Sequence, residues 1–215
     1  MGFDAWFFAR LDMQGDKARR VDDREMEFVW MPNAKSLGKD VNIFTHVLWN
    51  HYEAPPGFDF EIDHGNTEFL VNNKSKDYNA EARAQELLSH LEGRADHYLT
   101  DDVFCLFGSD FEYKAAAWNY KNMDAMIDYM NANHGDRYFF KYSTPSDYIA
   151  AVKGADVTWP TKYDDMFPYA SGPTDVWTGY FTSRANAKGY VRRASSNLHS
   201  SSALYAQHVL DQSAN

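Results

Sequence analysis

A chain of 215 residues with 44% hydrophobic and 16% aromatic residues can bury a substantial core and is too apolar for a disordered tail. Its formal net charge of −10 argues against a nucleic-acid partner, because affinity for a phosphate backbone draws on clustered Lys and Arg, and the basic runs at Lys17–Arg20 and ending at Arg193 are short. No apolar run reaches the length that spans a bilayer, and the single cysteine, Cys105, leaves no internal disulfide and reads as a packed thiol.

The first predicted element is a strand over residues 5–9, followed by Arg10. Phe3, Trp6, Phe7 and Phe8 look like interior residues, as though the chain begins inside a larger domain. A second strand is expected at 42–49. The polar stretch beyond it holds one sequon, Asn73-Lys74-Ser75, of the kind found in secreted glycoproteins. "NAEARAQELLSHLEG" then predicts a helix with Ala82, Leu87, Leu88 and Leu91 on one side and Gly93 as its stop.

Residues 103–107 are five consecutive apolar residues that read as a fully buried strand, running into Gly108, Ser109 and Asp110. In a parallel sheet or barrel the carboxyl ends of strands face the ligand cleft, so Asp110 stands where catalysis is placed. It serves equally well as a cap on the next helix or turn. In "NMDAMIDYMNANHG", Met123, Met126, Ile127 and Met130 fall at i, i+3, i+4 and i+7, a core-facing helical stripe with Gly135 beyond. A strand is expected at 137–143. At Thr144-Pro145-Ser146-Asp147 a capping threonine, an early proline and an acid three residues after the cap announce another helix.

Strands alternating with helices imply an α/β fold with a mostly parallel sheet or barrel. From Trp159 to Trp177 the periodicity stops in a proline-, glycine- and aromatic-rich loop of the kind that carries function or packs structurally. After Gly179, Val191, Ala194, Leu198, Tyr205 and Val209 recur at helical spacing, which places a boundary near Gly179.

"GSDFEY" followed by "NYKNMDAMIDYMNA" resembles the acid-bearing strand and helix of glycoside hydrolase family 38, the retaining, zinc-dependent α-mannosidases, and especially their lysosomal branch. "GFDAWFFARLD", "NIFTHVLWNHYEAPPGF", "KDYNAEA", "YSTPSDYI" and "VTWPTKYDDMFPYASGPTDVWTGYFTSR" resemble further segments in family order, so the likeness covers essentially the whole chain. It implies the C-terminal-side portion of a (β/α)7 barrel-like catalytic domain over 1–178, then the start of a helical, three-helix-bundle domain over 179–215. By this resemblance Asp110 takes the position of the general acid/base, with Phe107 and Phe111 beside it as expected apolar shelter. Arg10 matches an active-site arginine that orients carboxylates, Tyr52 an active-site tyrosine, and Trp177 an aromatic residue of the sugar pocket.

By this resemblance the zinc ligands, a His-X-Asp pair early in the barrel, the nucleophilic Asp of a "WxxDPFGHS"-like stretch and the histidine of a downstream "HHD", lie in stretches of the family that fall outside this chain. Zinc is therefore expected to be held by segments outside it. The eight histidines are scattered, and His46 and His51 lie at no useful ligand spacing, so no metal ligand is assigned here. Where the lysosomal branch carries a small disulfide loop, Asp59 and His64 replace the expected cysteines. The resemblance implies a mannose-containing oligosaccharide as substrate, the remaining segments of the same enzyme as partners, and a lysosomal or vacuolar location. The isolated chain is expected to be inactive. The competing expectation is a sugar-binding or structural remnant of a glycosidase barrel without chemistry.

Overall fold

The computed structural model describes residues 2–65 and 68–213, and no helix among them is long and apolar enough to cross a membrane. Four strands form one sheet: β1 (Ala5–Phe8), β2 (Glu27–Trp30), β3 (Ile43–Val47) and β4 (Thr161–Lys162), in the order β1-β3-β2-β4. β1 and β3 pair in parallel from Ala5 opposite Phe44 to Phe8 opposite Val47. β2 lies antiparallel to β3, and β4 parallel to β2. β2 has no counterpart in the sequence reading, because four residues between the polar run "DDRE" and Pro32 are too few to show a period.

The segments expected as further parallel strands differ from that expectation. Residues 103–107 are half-buried without strand pairing, and the expected strand at 137–143 likewise lacks a paired neighbour. An apolar pattern favours burial of side chains, whereas a ladder needs a neighbouring backbone within reach. Side chains satisfy the backbone here: Arg94 Nη1 donates to the Phe104 carbonyl at 3.2 Å, and the Asn131 amide brackets Phe140 with two bonds of 2.8 Å.

Among the described residues five α-helices accompany the sheet: α1 (Asp16–Asp22), α2 (Ala80–Ala95), α3 (Ala116–His134), α4 (Pro145–Lys153) and α5 (Ala185–Ser213). α2 and α3 pack together over Phe58, Phe60 and Phe69, with Met123, Met126 and Met130 buried along one stripe. Gly93 lies inside α2, which continues to Ala95, and Ala82 is exposed while Ala80 and Ala84 are buried. The reason is angular: at about 100° per residue, 80, 84, 87, 88 and 91 share a face and 82 lies opposite. At α4 the Thr144 hydroxyl accepts the Asp147 amide while the Asp147 carboxylate accepts the Thr144 amide, the reciprocal cap expected.

A second core under the sheet gathers Leu11, Met26, Phe28, Val47, Tyr98 and Met166. The aromatic loop after β4 holds a two-stranded hairpin, β5 (Ala170–Gly172) with β6 (Asp175–Val176), a feature absent from the sequence reading.

Candidate active site

Because β1 and β3 run parallel, the loops that leave them emerge on the same rim of the sheet. Arg10 lies two residues past β1, and Tyr52 in the turn after β3. Lys17, buried at the start of α1, fixes the end of β3 by donating to the Leu48 carbonyl at 3.2 Å and the Trp49 carbonyl at 2.7 Å. Burial, and secondarily the positive charge of Arg94, lowers its pKa to about 8.

The hairpin brings the fourth residue. Met13 N donates to the Ala170 carbonyl at 2.9 Å, tying β5 to the segment after β1. Trp177, just past β6, is held by its amide on the Tyr169 carbonyl at 3.1 Å and by its indole N–H on Ser171 Oγ at 2.7 Å. The Arg10 guanidinium then lies 4.7 Å from the Trp177 ring centre and 5.7 Å from that of Tyr169. Arg10 Nη2 donates to Tyr52 Oη at 3.4 Å, and Tyr52 Oη donates to Asp110 Oδ1 at 3.4 Å. All four residues singled out in the sequence therefore converge on one rim, although they come from both ends and the middle of the chain.

Asp110 stands in an exposed turn, and Phe111 beside it is 86% exposed. The expected apolar shelter is thus not supplied by Phe111, which points away from the core. The turn is unusual in its backbone, since Phe111 and Tyr113 both adopt positive φ, at 63° and 61°. For non-glycine residues such a conformation costs on the order of 1–3 kcal/mol and tends to gather at functional sites. Tyr113 anchors the turn by donating its hydroxyl to the Phe107 carbonyl at 2.6 Å.

Two neighbours escaped the sequence reading. Tyr169 faces Arg10 from within the aromatic loop, where nothing local marked it out from the other rings. His51 packs against Tyr52 with ring centres 4.1 Å apart, and burial first, then the charge of Arg10, lowers its pKa. Asp59 and His64, the pair standing where cysteines were expected, touch through Asp59 Oδ2 and His64 Nδ1. The Cys105 thiol is pushed up by burial, which leaves it little thiolate character.

The model of the glycosyl hydrolases family 38 N-terminal domain matches residues 1–172. The chain belongs to glycosyl hydrolase family 38. Among its curated relatives, an alpha-mannosidase of Arabidopsis thaliana is 40% identical over 191 residues, covering 89% of this chain and 18% of the relative. The lysosomal alpha-mannosidase of Dictyostelium discoideum is 40% identical over 201 residues, covering 93% and 19%. The human lysosomal alpha-mannosidase is 37% identical over 194 residues, covering 89% and 19%. This family 38 chain therefore spans about a fifth of the length of the relatives it matches.

The mixed sheet and its flanking helices agree with a family 38 N-terminal domain. The donor set at the rim is a guanidinium, phenols, an indole and one carboxylate, which does not suit zinc, since zinc takes imidazole, thiolate and carboxylate ligands in threes and fours.

Proposed function

We propose that this family 38 chain forms part of the catalytic domain of a retaining exo-α-mannosidase that removes terminal α-linked mannose from oligosaccharides. Asp110 is the general acid/base: it gives a proton to the leaving glycosidic oxygen in the first step and takes one from the attacking water in the second. Tyr52, in hydrogen-bond reach of Asp110, orients that carboxylate, and Arg10 holds Tyr52 in turn. Trp177 offers its indole to the apolar face of the sugar. The nucleophilic carboxylate and the zinc ligands belong to segments outside this chain, so the 215 residues alone do not turn over substrate.

The observation that carries this reading is the convergence of Arg10, Tyr52, Asp110 and Trp177 on one rim. The relatives named alpha-mannosidase, three of them quoted above, support it from outside. The test is hydrolysis of an aryl α-mannoside by the complete enzyme, followed by proton NMR of the first-formed sugar. Initial release of α-mannose is expected. Initial release of the β-anomer overturns the retaining mechanism, and sugar binding without hydrolysis overturns the enzyme reading in favour of a non-catalytic remnant. The same reading places the enzyme in a lysosome or vacuole, which organelle fractionation of the native source checks.

A further inference from the structure

Two residues past Asp110, the chain assembles a cluster that the sugar chemistry does not use. The ligand-capable atoms of Asp59, His64 and Glu112 all lie within 4.8 Å of one another. A 3-10 turn, Ile62–His64, folds His64 back onto Asp59, and the positive φ of 67° at Gly65 closes it. Asp59 Oδ1 accepts the Glu61 amide at 2.8 Å, which fixes the carboxylate with Oδ2 toward His64. An exposed Lys114–Asp63 ion pair of 2.8 Å ties this turn to the segment that carries Glu112.

A second observation comes from the floor. Asp59 and Glu112 line a small cavity together with Asn119 on α3. Asn119 is 3% exposed, and its side-chain oxygen Oδ1 has no hydrogen-bond partner. A buried oxygen without a donor is unfavourable, and a cation held by the neighbouring carboxylates would satisfy it.

We propose that Asp59, His64 and Glu112 bind one divalent first-row transition ion, with zinc as its representative, and that Asn119 Oδ1 faces the same cavity as a further oxygen donor. The imidazole decides the class of ion. Calcium and magnesium take sets of oxygen ligands, whereas one imidazole with two carboxylates suits zinc and its neighbours. The proposal rests on this cluster alone and stands or falls independently of the mannosidase reading.

The test is calorimetric titration of zinc chloride into the tag-free, metal-stripped 215-residue chain, repeated on Glu112→Gln and His64→Gln. One zinc per wild-type chain with a micromolar or tighter dissociation constant is expected. Loss of even an outer hydrogen-bond partner weakens a metal site on the order of 10–100-fold, so each variant, having lost a ligand, should bind at least about tenfold more weakly. Circular dichroism of the metal-free proteins should be unchanged, and His64→Gln, on an exposed turn, serves where Glu112→Gln does not fold. Cobalt in place of zinc should give visible ligand-field bands without the charge-transfer band of a thiolate. Absence of saturable zinc binding, affinity equal in wild type and both variants, or calcium displacing zinc at comparable concentration would each overturn the site.

Discussion

Asp110 carries the sharpest consequence at the scale of a single residue. If it is the proton donor, Asp110→Asn in the complete enzyme removes general acid/base help worth roughly 10²–10⁴-fold in rate. The loss depends on the leaving group: an aryl mannoside needs little protonation, so its first step is nearly spared while breakdown of the mannosyl-enzyme slows. Added azide then restores turnover by replacing the activated water. Rates on natural and aryl mannosides that fall equally, without azide rescue, would reject the assignment. Trp177 gives an independent check. Its ring lies over Arg10 and is 41% exposed, so Trp177→Ala is expected to raise KM for mannosides well beyond its effect on kcat, with little change in melting temperature. Steady-state kinetics separates the two. Of this rim, Arg10, Tyr52, Asp110 and Trp177 were legible through segments matched to a family. Tyr169 and His51 were not: Tyr169 meets Arg10 across more than 100 positions, which leaves no local mark, and His51 was weighed in the sequence only as a metal ligand.

At the scale of elements, the strongest periodic signals gave the strongest structures. The methionine stripe is buried on α3, where Met130 is 0% exposed, and Met130→Ala should cost about 2–5 kcal/mol in the denaturant-derived stability of the folded chain. Thr144→Ala should cost about 1 kcal/mol by removing the cap of α4, while Thr144→Ser should cost much less because a hydroxyl remains to accept the Asp147 amide. Equal losses in the two Thr144 variants would mean that packing, not capping, holds that position. Residues 103–107 show the limit of the same reasoning. Their apolar run predicted deep burial in a parallel strand, but burial and pairing depend on what lies alongside, and here Arg94 and aromatic side chains lie alongside. β2 went unread for the opposite reason, since four residues carry too little pattern.

The whole molecule adds constraints that no element has alone. Lys17 joins α1 to the end of β3 under the loop that carries Tyr52, and it does so as a buried amine whose pKa falls to about 8. Against an ordinary value of 10.5, the unfolded chain holds a proton between about pH 8 and 10.5 that the folded chain has released. The contribution of Lys17 to stability is therefore lowest below pH 8 and rises with pH across that window. Urea unfolding of wild type and Lys17→Met at about pH 7.5 and about pH 9.5 should show wild type gaining on the variant at the higher pH; a pH-independent difference would contradict it. α5 marks another whole-molecule feature: its helical period was plain, yet Val191, Leu198 and Tyr205 are 64%, 69% and 71% exposed, so among the described residues nothing covers its apolar positions. By itself the sequence determined the α/β class, the helices with long apolar periods, the cap at Thr144, the parallel first strands and, through its likeness to family 38, the residues to watch. These are properties of short windows or of matched segments, and both are written along the chain. Only the tertiary structure decided that β2 runs antiparallel beside β3, that the hairpin carries Trp177 onto Arg10, and that Glu112 meets Asp59 and His64. Each of these depends on loops closing over tens of residues, where the geometry is set by packing summed over the whole fold rather than by any residue's neighbours in sequence.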